Sequence, residues 1–445
     1  MRGWRHFFCA IAIGGTGFAA RAQEPPINAP AVFPIDLPAA MRLAKGQSLD
    51  IRIARQKLAE ARAIRETALF QFLPTLAPGI TYRRHDNLIQ DVAGNVVSVH
   101  KDSYAPGFTF TAQVEIGDAI YRELAARQNL EASARGLEVQ QQDSVLEAIT
   151  GFFDLAKAEA AIASAEAAQK ISRNYSEQIG QAVSAGVVFK GEELRVRVQT
   201  DRAELAVRQA VEQRATASAR LVQILHLTQP IQLVAAGELA PLNLVGAPPA
   251  LDALVQEALS ARPEIRQSKA LVAAAEAAKK GATIGPLVPT VGAQAYLGGL
   301  GGGRSGGPDT FGESEDVSFF LSWRIGPGGL FDKGRIHSST ARWEIEKLSA
   351  TKLRDRITRE VVEALARFQS LTDQIRLLEQ TVGVAVRAQQ LAAQRKDFAV
   401  GTVLEDIQTQ QELARARTDY FATVAEFNKA QYTLLKVVGR LGQSN

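Results

Sequence analysis

Residues 104–116 read YAPGFTFTAQVEI. Tyr104, Pro106, Phe108, Phe110, Ala112, Val114 and Ile116 fall on even positions, while Gly107, Thr109, Thr111, Gln113 and Glu115 fall between them. Strict alternation of this kind marks a strand with one apolar and one small or polar face. The same alternation runs through 72–82, where Phe72, Leu76, Ile80 and Tyr82 share one face. It returns at 287–297 with Leu287, Val291 and Leu297, and at 317–325 with Val317, Phe319, Leu321, Trp323 and Ile325. Each run is near the 9–11 residues that cross a bilayer as a tilted strand. Hairpins of a soluble domain remain the alternative reading. Four strands cannot close a barrel, because the smallest outer-membrane barrels have about eight. Two copies of the chain would fill such a barrel with side chains, and three would give about twelve strands with room for a channel.

The strand pairs belong to a duplication. Residues 37–52 (LPAAMRLAKGQSLDIR) correspond to 251–266 (LDALVQEALSARPEIR), and Leu73-Pro74-Thr75-Leu76 to Val288-Pro289-Thr290-Val291. Ile116-Gly117 matches Ile325-Gly326, and Ala185-Gly186-Val187-Val188 matches Val400-Gly401-Thr402-Val403. Four matches in one order at nearly one offset indicate two repeats, expected at 37–245 and 246–441. In each repeat a helical stretch of about 30 residues precedes the strands, and two long helices meeting at a glycine follow them. The strands are expected at about 72–83, 104–116, 287–298 and 317–325. The helices are expected at about 118–185, 188–227, 332–399 and 402–438. A helix of about 65 residues would reach on the order of 100 Å, too long to wrap a compact core, so it needs lateral partners. The alanine-rich stretch 156–163 (AKAEAAIA) suits close helix approach better than a leucine-zipper seam.

Arg2 and Arg5, the apolar stretch 7–18 and Ala20-Arg21-Ala22 form an export signal over 1–22. A proline-rich leader over 23–36 follows it. The only cysteine, Cys9, lies inside the signal, so the mature chain is expected to hold no disulfide, thiolate metal site or cysteine nucleophile. The formal net charge of +4 includes Arg2, Arg5 and Arg21, so the mature chain is near neutral. That gives no electrostatic reason to bind nucleic acid.

The duplicated helix–hairpin–helix–helix order, the Leu-Pro-Thr and Val-Pro-Thr strand starts, and Val400-Gly401-Thr402 followed by Asp406 and Gln410-Gln411-Glu412-Leu413 resemble the TolC-like outer membrane efflux proteins. The resemblance runs from about residue 37 to residue 441. It implies a mainly α chain with a membrane β-barrel: a homotrimer in which a shared 12-stranded outer-membrane barrel is continued by a periplasmic α-helical barrel. It also implies a periplasmic adaptor (membrane fusion) protein and an inner-membrane pump as partners, with outer membrane lipid around the barrel. The turns at Gly186-Val187 and Gly401-Thr402 would form the inner aperture and adaptor contact, with Glu192, Glu193, Glu405 and Asp406 beside them. Glu192 stands six residues past Gly186, the family spacing, and Asp406 stands five past Gly401. Where the family's latch has a tyrosine, an arginine and an aspartate, this chain has Phe398, Val403 and Thr409. A solvated helical first turn, where acids are favoured anyway, is the competing reading of the four acids.

Enzymatic motifs are scarce. Gly301, Gly303 and Gly306 satisfy G-x-G-x-x-G, but no helix opens after them, so 298–307 is expected to be a surface loop of the barrel. His85, His100, His226 and His337 show no metal-ligand spacing, and no nucleophile elbow occurs. The expectation is a non-enzyme without cofactor or metal: an exit duct of a tripartite efflux or type I secretion system. A periplasmic coiled-coil scaffold or adaptor is the alternative.

Overall fold

A computed structural model describes residues 31–73, 75–228, 231–304, 309–397 and 403–441. The expected signal segment, Phe398, Gly401 and Thr402 lie outside the described residues. Within the expected leader, β1 (Ala31–Ile35) is a strand. It ends at Asp36, whose carboxylate accepts the Ala39 N–H at 2.7 Å and caps α1 (Leu37–Gln47).

The first expected helical stretch is in fact two helices. The chain breaks at Ser48, whose hydroxyl accepts the Ile51 N–H at the head of α2 (Leu49–Phe70). Strands β2 (Thr75–Gln90) and β3 (Val96–Glu115) form a hairpin around a turn in which Gly94 has φ +88°. They are longer than the apolar alternation alone indicated, because pairing continues past Tyr82 and Tyr104 into charged rows. Then come α3 (Ile116–Ser184), α4 (Lys190–Ile224) and β4 (Ile231–Ala235), which pairs in parallel with β1.

The same order returns. The second 30-residue stretch also breaks, into α5 (Leu251–Ala261) and α6 (Pro263–Thr283). Pro263 has no N–H to donate and forces Arg262 into an extended conformation, so one helix stops and the next starts. Strands β5 (Thr290–Arg304) and β6 (Thr310–Ser322) precede α7 (Lys333–Asp397) and α8 (Val403–Val437). At 1.5 Å per residue, the 69 residues of α3 and the 65 of α7 each span about 100 Å.

Two cores hold the helices. In the first, Ile149, Phe152, Phe153 and Leu155 of α3 meet Leu221 of α4, Leu233 of β4 and Ile35 of β1. Gly151 lets α4 come close, since a Cβ there would lie 3.0 Å from Ile224 Cδ1. In the second, Leu254 and Ile265 meet Ile357, Val361 and Phe368 of α7 and Leu434 of α8. The connector between the repeats is strapped to α8 by side-chain amides. Asn428 accepts the Leu242 N–H at 2.8 Å and donates to the Ala240 carbonyl at 2.9 Å. Gln431 accepts the Leu244 N–H and donates to the Leu242 carbonyl, both at 2.8 Å. Both amides are fully buried, and the connector's backbone groups are satisfied as a strand's would be.

Candidate functional site

The four long strands form one antiparallel sheet in the order β2-β3-β5-β6, with both outer strands unpaired on their far sides. The described strands close no barrel within the chain. Cross-strand partners share a face, so the register turns sequence alternation into continuous rows. Leu76, Phe110, Ala295 and Val317 form one row, and Val114, Val291 and Leu321 another. On the opposite face lie Thr75, Thr111, Gln294 and Ser318. The apolar residues are exposed, with Ile80 at 78% and Phe319 at 80%. From Tyr104 to Val114 the apolar face of β3 runs ten residues, about 33 Å at 3.3 Å each. At a 45° tilt its height is about 23 Å, close to the apolar band of an outer-membrane barrel.

The glycine-rich stretch expected to be a surface loop is strand as far as Arg304, a correction with a steric cause. Aromatic rings of the sheet occupy the places that side chains on these glycines would fill. A Cβ on Gly301 would lie 2.4 Å from the Tyr104 ring, one on Gly299 2.2 Å from Phe311, and one on Gly292 2.0 Å from Phe320. Tyr296 covers Gly107 and Gly298, and its hydroxyl donates toward the carbonyls of Pro106 and Gly299 at 3.0 and 2.9 Å. Rings over glycines restore the buried area that glycine strands lack.

Where sheet becomes helix, Gly117 and Gly285 touch backbone to backbone: a Cβ on Gly117 would lie 2.1 Å from the Gly285 carbonyl oxygen. Beside them Arg335, at the start of α7, donates to Asp118 of α3 at 2.9 Å. The two repeats are thereby pinned together as they leave the sheet.

At the opposite end, α3 closes on Gly186 with φ +75°. The Val187 N–H donates to the Ala182 carbonyl and the Gly186 N–H to the Val183 carbonyl, a Schellman stop that needs a left-handed residue. Val187 (78% exposed) and Phe189 (88% exposed) project from the turn, while Val188 turns inward against Tyr175, Ile179 and Val196. The alternation and the spacing gave no sign of Phe189.

The four acids expected here do not behave alike. Glu192 receives Arg195 at 3.1 Å and Glu193 receives Lys190, both pairs at the start of α4 with the two carboxylates half-buried. Glu405 receives Arg395 of α7 at 2.8 Å. Asp406 is only 2% exposed and accepts from Gln410 Nε2 at 3.0 Å. Its neighbour Ile407 packs on the cluster of Tyr175 and Val196, so α8 begins against α3 and α4 of the same chain. Burial, with the negative charges of Asp406 and then Glu192, pushes the Tyr175 hydroxyl well above the usual tyrosine range. Tyr175, Glu192 and Asp406 are therefore electrostatic neighbours across the two repeats. Of the latch positions, Thr409 bonds its own helix, its hydroxyl donating to the Glu405 and Asp406 carbonyls.

Among the described residues no group of His, Cys, Asp or Glu could hold a metal ion. No described helix is long and apolar enough to cross a membrane.

Residues 254–440 match the family model described as outer membrane efflux protein. No curated protein matches the sequence at a significant level. Among solved structures, a membrane protein from Pseudomonas aeruginosa superposes with a TM-score of 0.78 at 18% identity, over 91% of this chain and 93% of that one. The Campylobacter jejuni CmeC outer membrane channel gives 0.76 at 14% identity, over 92% and 87%. The Neisseria gonorrhoeae MtrE outer membrane channel, in its open state, gives 0.73 at 18% identity, over 91% and 88%. At such identities the likeness is one of fold. Family match and fold together bear out the resemblance read from the sequence: residues 254–440 form an outer membrane efflux protein domain, in a chain with the fold of the TolC-like channels.

Proposed function

We propose that three copies of the chain form a passive exit duct through the outer membrane. It would serve an inner-membrane pump through a periplasmic adaptor (membrane fusion) protein, in a tripartite efflux or type I secretion system. The observation that carries this reading is a four-stranded sheet, apolar on one face and polar on the other, with both edges open. It runs directly into helices of about 100 Å. Open edges of this length are aggregation sites unless another chain pairs with them. Three sheets joined edge to edge give twelve strands, the apolar face toward lipid and Thr111, Gln294 and Ser318 toward a wet interior.

In this reading the inner end is formed by the turn at Gly186-Val187 and the start of α8. Glu192, Glu193 and Glu405 offer half-buried carboxylates there, each beside a basic neighbour, while Ile407, next to the buried Asp406, packs α8 on the first repeat. The projecting Val187 and Phe189 are apolar anchors of the kind an adaptor would cover.

Fractionation and mass measurement test the reading. The mature chain should resist salt and urea extraction, need detergent, and have the mass of three chains. A folded monomer that washes off the membrane would overturn it in favour of a periplasmic scaffold.

A further inference from the structure

The two free edges of the sheet carry opposite charge at the ends of their apolar faces. On β2 that face runs through Leu76, Pro78, Ile80 and Tyr82 and then meets Arg84. On β6, read from Trp323 back through Leu321, Phe319 and Val317, it meets Glu315 and then Glu313. Both glutamates are exposed, and among the described residues no ion pair or hydrogen bond involves their side chains. Arg84 is 59% exposed and holds Asp86 at 2.8 Å, while Asp86 also holds His100 at 2.8 Å. Asp86 thus keeps a partner if Arg84 turns elsewhere.

Resting on the trimeric barrel proposed above, we infer that the seam between neighbouring copies pairs β6 of one with β2 of the next in a single register. In it Arg84 lies opposite Glu315 and diagonal to Glu313, as an inter-subunit ion pair.

Three observations fix that register. First, β3 and β5 already join the two repeats inside one chain, with Glu115 opposite Thr290. The sequence repeat makes Arg324 the counterpart of Glu115 and Thr75 the counterpart of Thr290. The equivalent seam between copies therefore sets Arg324 against Thr75, which puts Arg84 against Glu315. Second, this register matches apolar to apolar all along the edge: Leu76 with Trp323, Pro78 with Leu321, Ile80 with Phe319 and Tyr82 with Val317. The charged rows begin together on both strands.

Third, the geometry closes. Following one row across the chain from Leu76 through Phe110 and Ala295 to Val317 and over the seam ends at Tyr82, six residues further along β2. Three chains accumulate eighteen residues over twelve strands. With a rise of about 3.3 Å and a strand spacing of about 4.8 Å, the strands tilt by about 45°, within reach of known barrels. Two residues more per chain would require a tilt of about 54°, while two fewer would give about 35°, so closure excludes the larger shift and the repeat-based pairing excludes the smaller.

The sequence has no cysteine beyond Cys9, so paired cysteines read the seam directly. In the full-length protein in detergent, Arg84→Cys with Glu315→Cys should give disulfide-linked multimers. Arg84→Cys with Glu313→Cys or Val317→Cys should give several-fold less. A trimer by mass whose strongest cross-link is at 313 or 317 overturns the register while leaving the duct reading intact. A monomer by mass overturns both. The charge itself is tested by Arg84→Glu, which should lose the trimer band in SDS at temperatures the wild type survives. Adding Glu315→Arg should restore it. Unchanged resistance in Arg84→Glu, or resistance lost to a metal chelator but not to that substitution, would overturn the ion pair.

Discussion

Arg262, 4% exposed at the break between α5 and α6, grips Glu264 with two guanidinium hydrogen bonds, at 2.6 and 3.2 Å. Its third arm reaches Glu360 of α7 at 2.6 Å. Burial works to raise the Glu264 carboxyl, but the hydrogen bonds and charge of Arg262 outweigh it and hold it below the usual glutamate range. A carboxylate depressed on folding contributes stability that is present above its unfolded pKa and is lost as pH falls through the folded one. The second core should therefore soften only in acid, below about pH 4. Arg262→Ala leaves Glu264 without its hydrogen-bonded cation, while Glu360 keeps Arg356 at 3.5 Å, at a cost of about 3–5 kcal/mol. It also removes the acid softening, because burial then works to raise the Glu264 carboxyl and a folded state that binds the proton more tightly is not lost as pH falls. Thermal melts followed by circular dichroism across pH check both effects.

The amides of Asn428 and Gln431 hold the connector between the repeats through four backbone bonds. Replacing both with Ala strands two N–H and two C=O groups, each costing about 1–3 kcal/mol if it stays buried. The connector should then detach rather than remain unsatisfied. Limited proteolysis should cut the double variant within 236–250 while sparing the wild type.

Gly292 lies under Phe320, so Gly292→Val should block pairing of β5 with β6 and lower the yield of assembled protein in the membrane fraction. Phe320→Ala removes the clash, and the Gly292→Val, Phe320→Ala pair should recover most of that yield. Heat-modifiable gel mobility distinguishes folded from unfolded sheet in all three variants.

Asp406 and Glu192 should respond differently to truncation. Glu192→Gln alters a surface helix-start residue and should shift stability by less than about 0.5 kcal/mol. Asp406→Ala removes a buried acceptor bonded by Gln410 of its own helix, beside the packing of Ile407 on the first repeat, at about 1–3 kcal/mol. The loss should appear as faster amide exchange at the start of α8 and around Tyr175, with the two main cores unchanged.

Strand faces were legible in the sequence because alternation has a fixed period: Phe108, Phe110 and Val114 share a face in any register. Register itself was not legible, because it depends on which strands meet, and the rows of Leu76, Phe110, Ala295 and Val317 appear only with pairing. The stretch 298–304 was misread because glycine weakens a strand taken alone, and the compensating rings of Tyr104 and Phe311 come from other strands. The break at Pro263 carried a local signal in its missing N–H, whereas the break at Ser48 did not stand out within a helical pattern. At the tip, spacing drew attention to Glu192 and Asp406 together. That Asp406 is buried follows from the long-range approach of α8 to Tyr175 and Val196, which one helix period does not encode.

Single-channel conductance of the detergent-extracted protein in a planar bilayer decides whether the chain is a channel with a carboxylate-lined inner end. The expected result is discrete conductance steps that favour cations and are blocked by multivalent cations from the helical side. Glu192→Gln should lower both the selectivity and the block. Conductance indistinguishable from bare lipid, from a preparation of confirmed folded protein, would contradict the channel. Steps with selectivity and block unchanged in Glu192→Gln would return that residue to the role of a solvated helix-start acid.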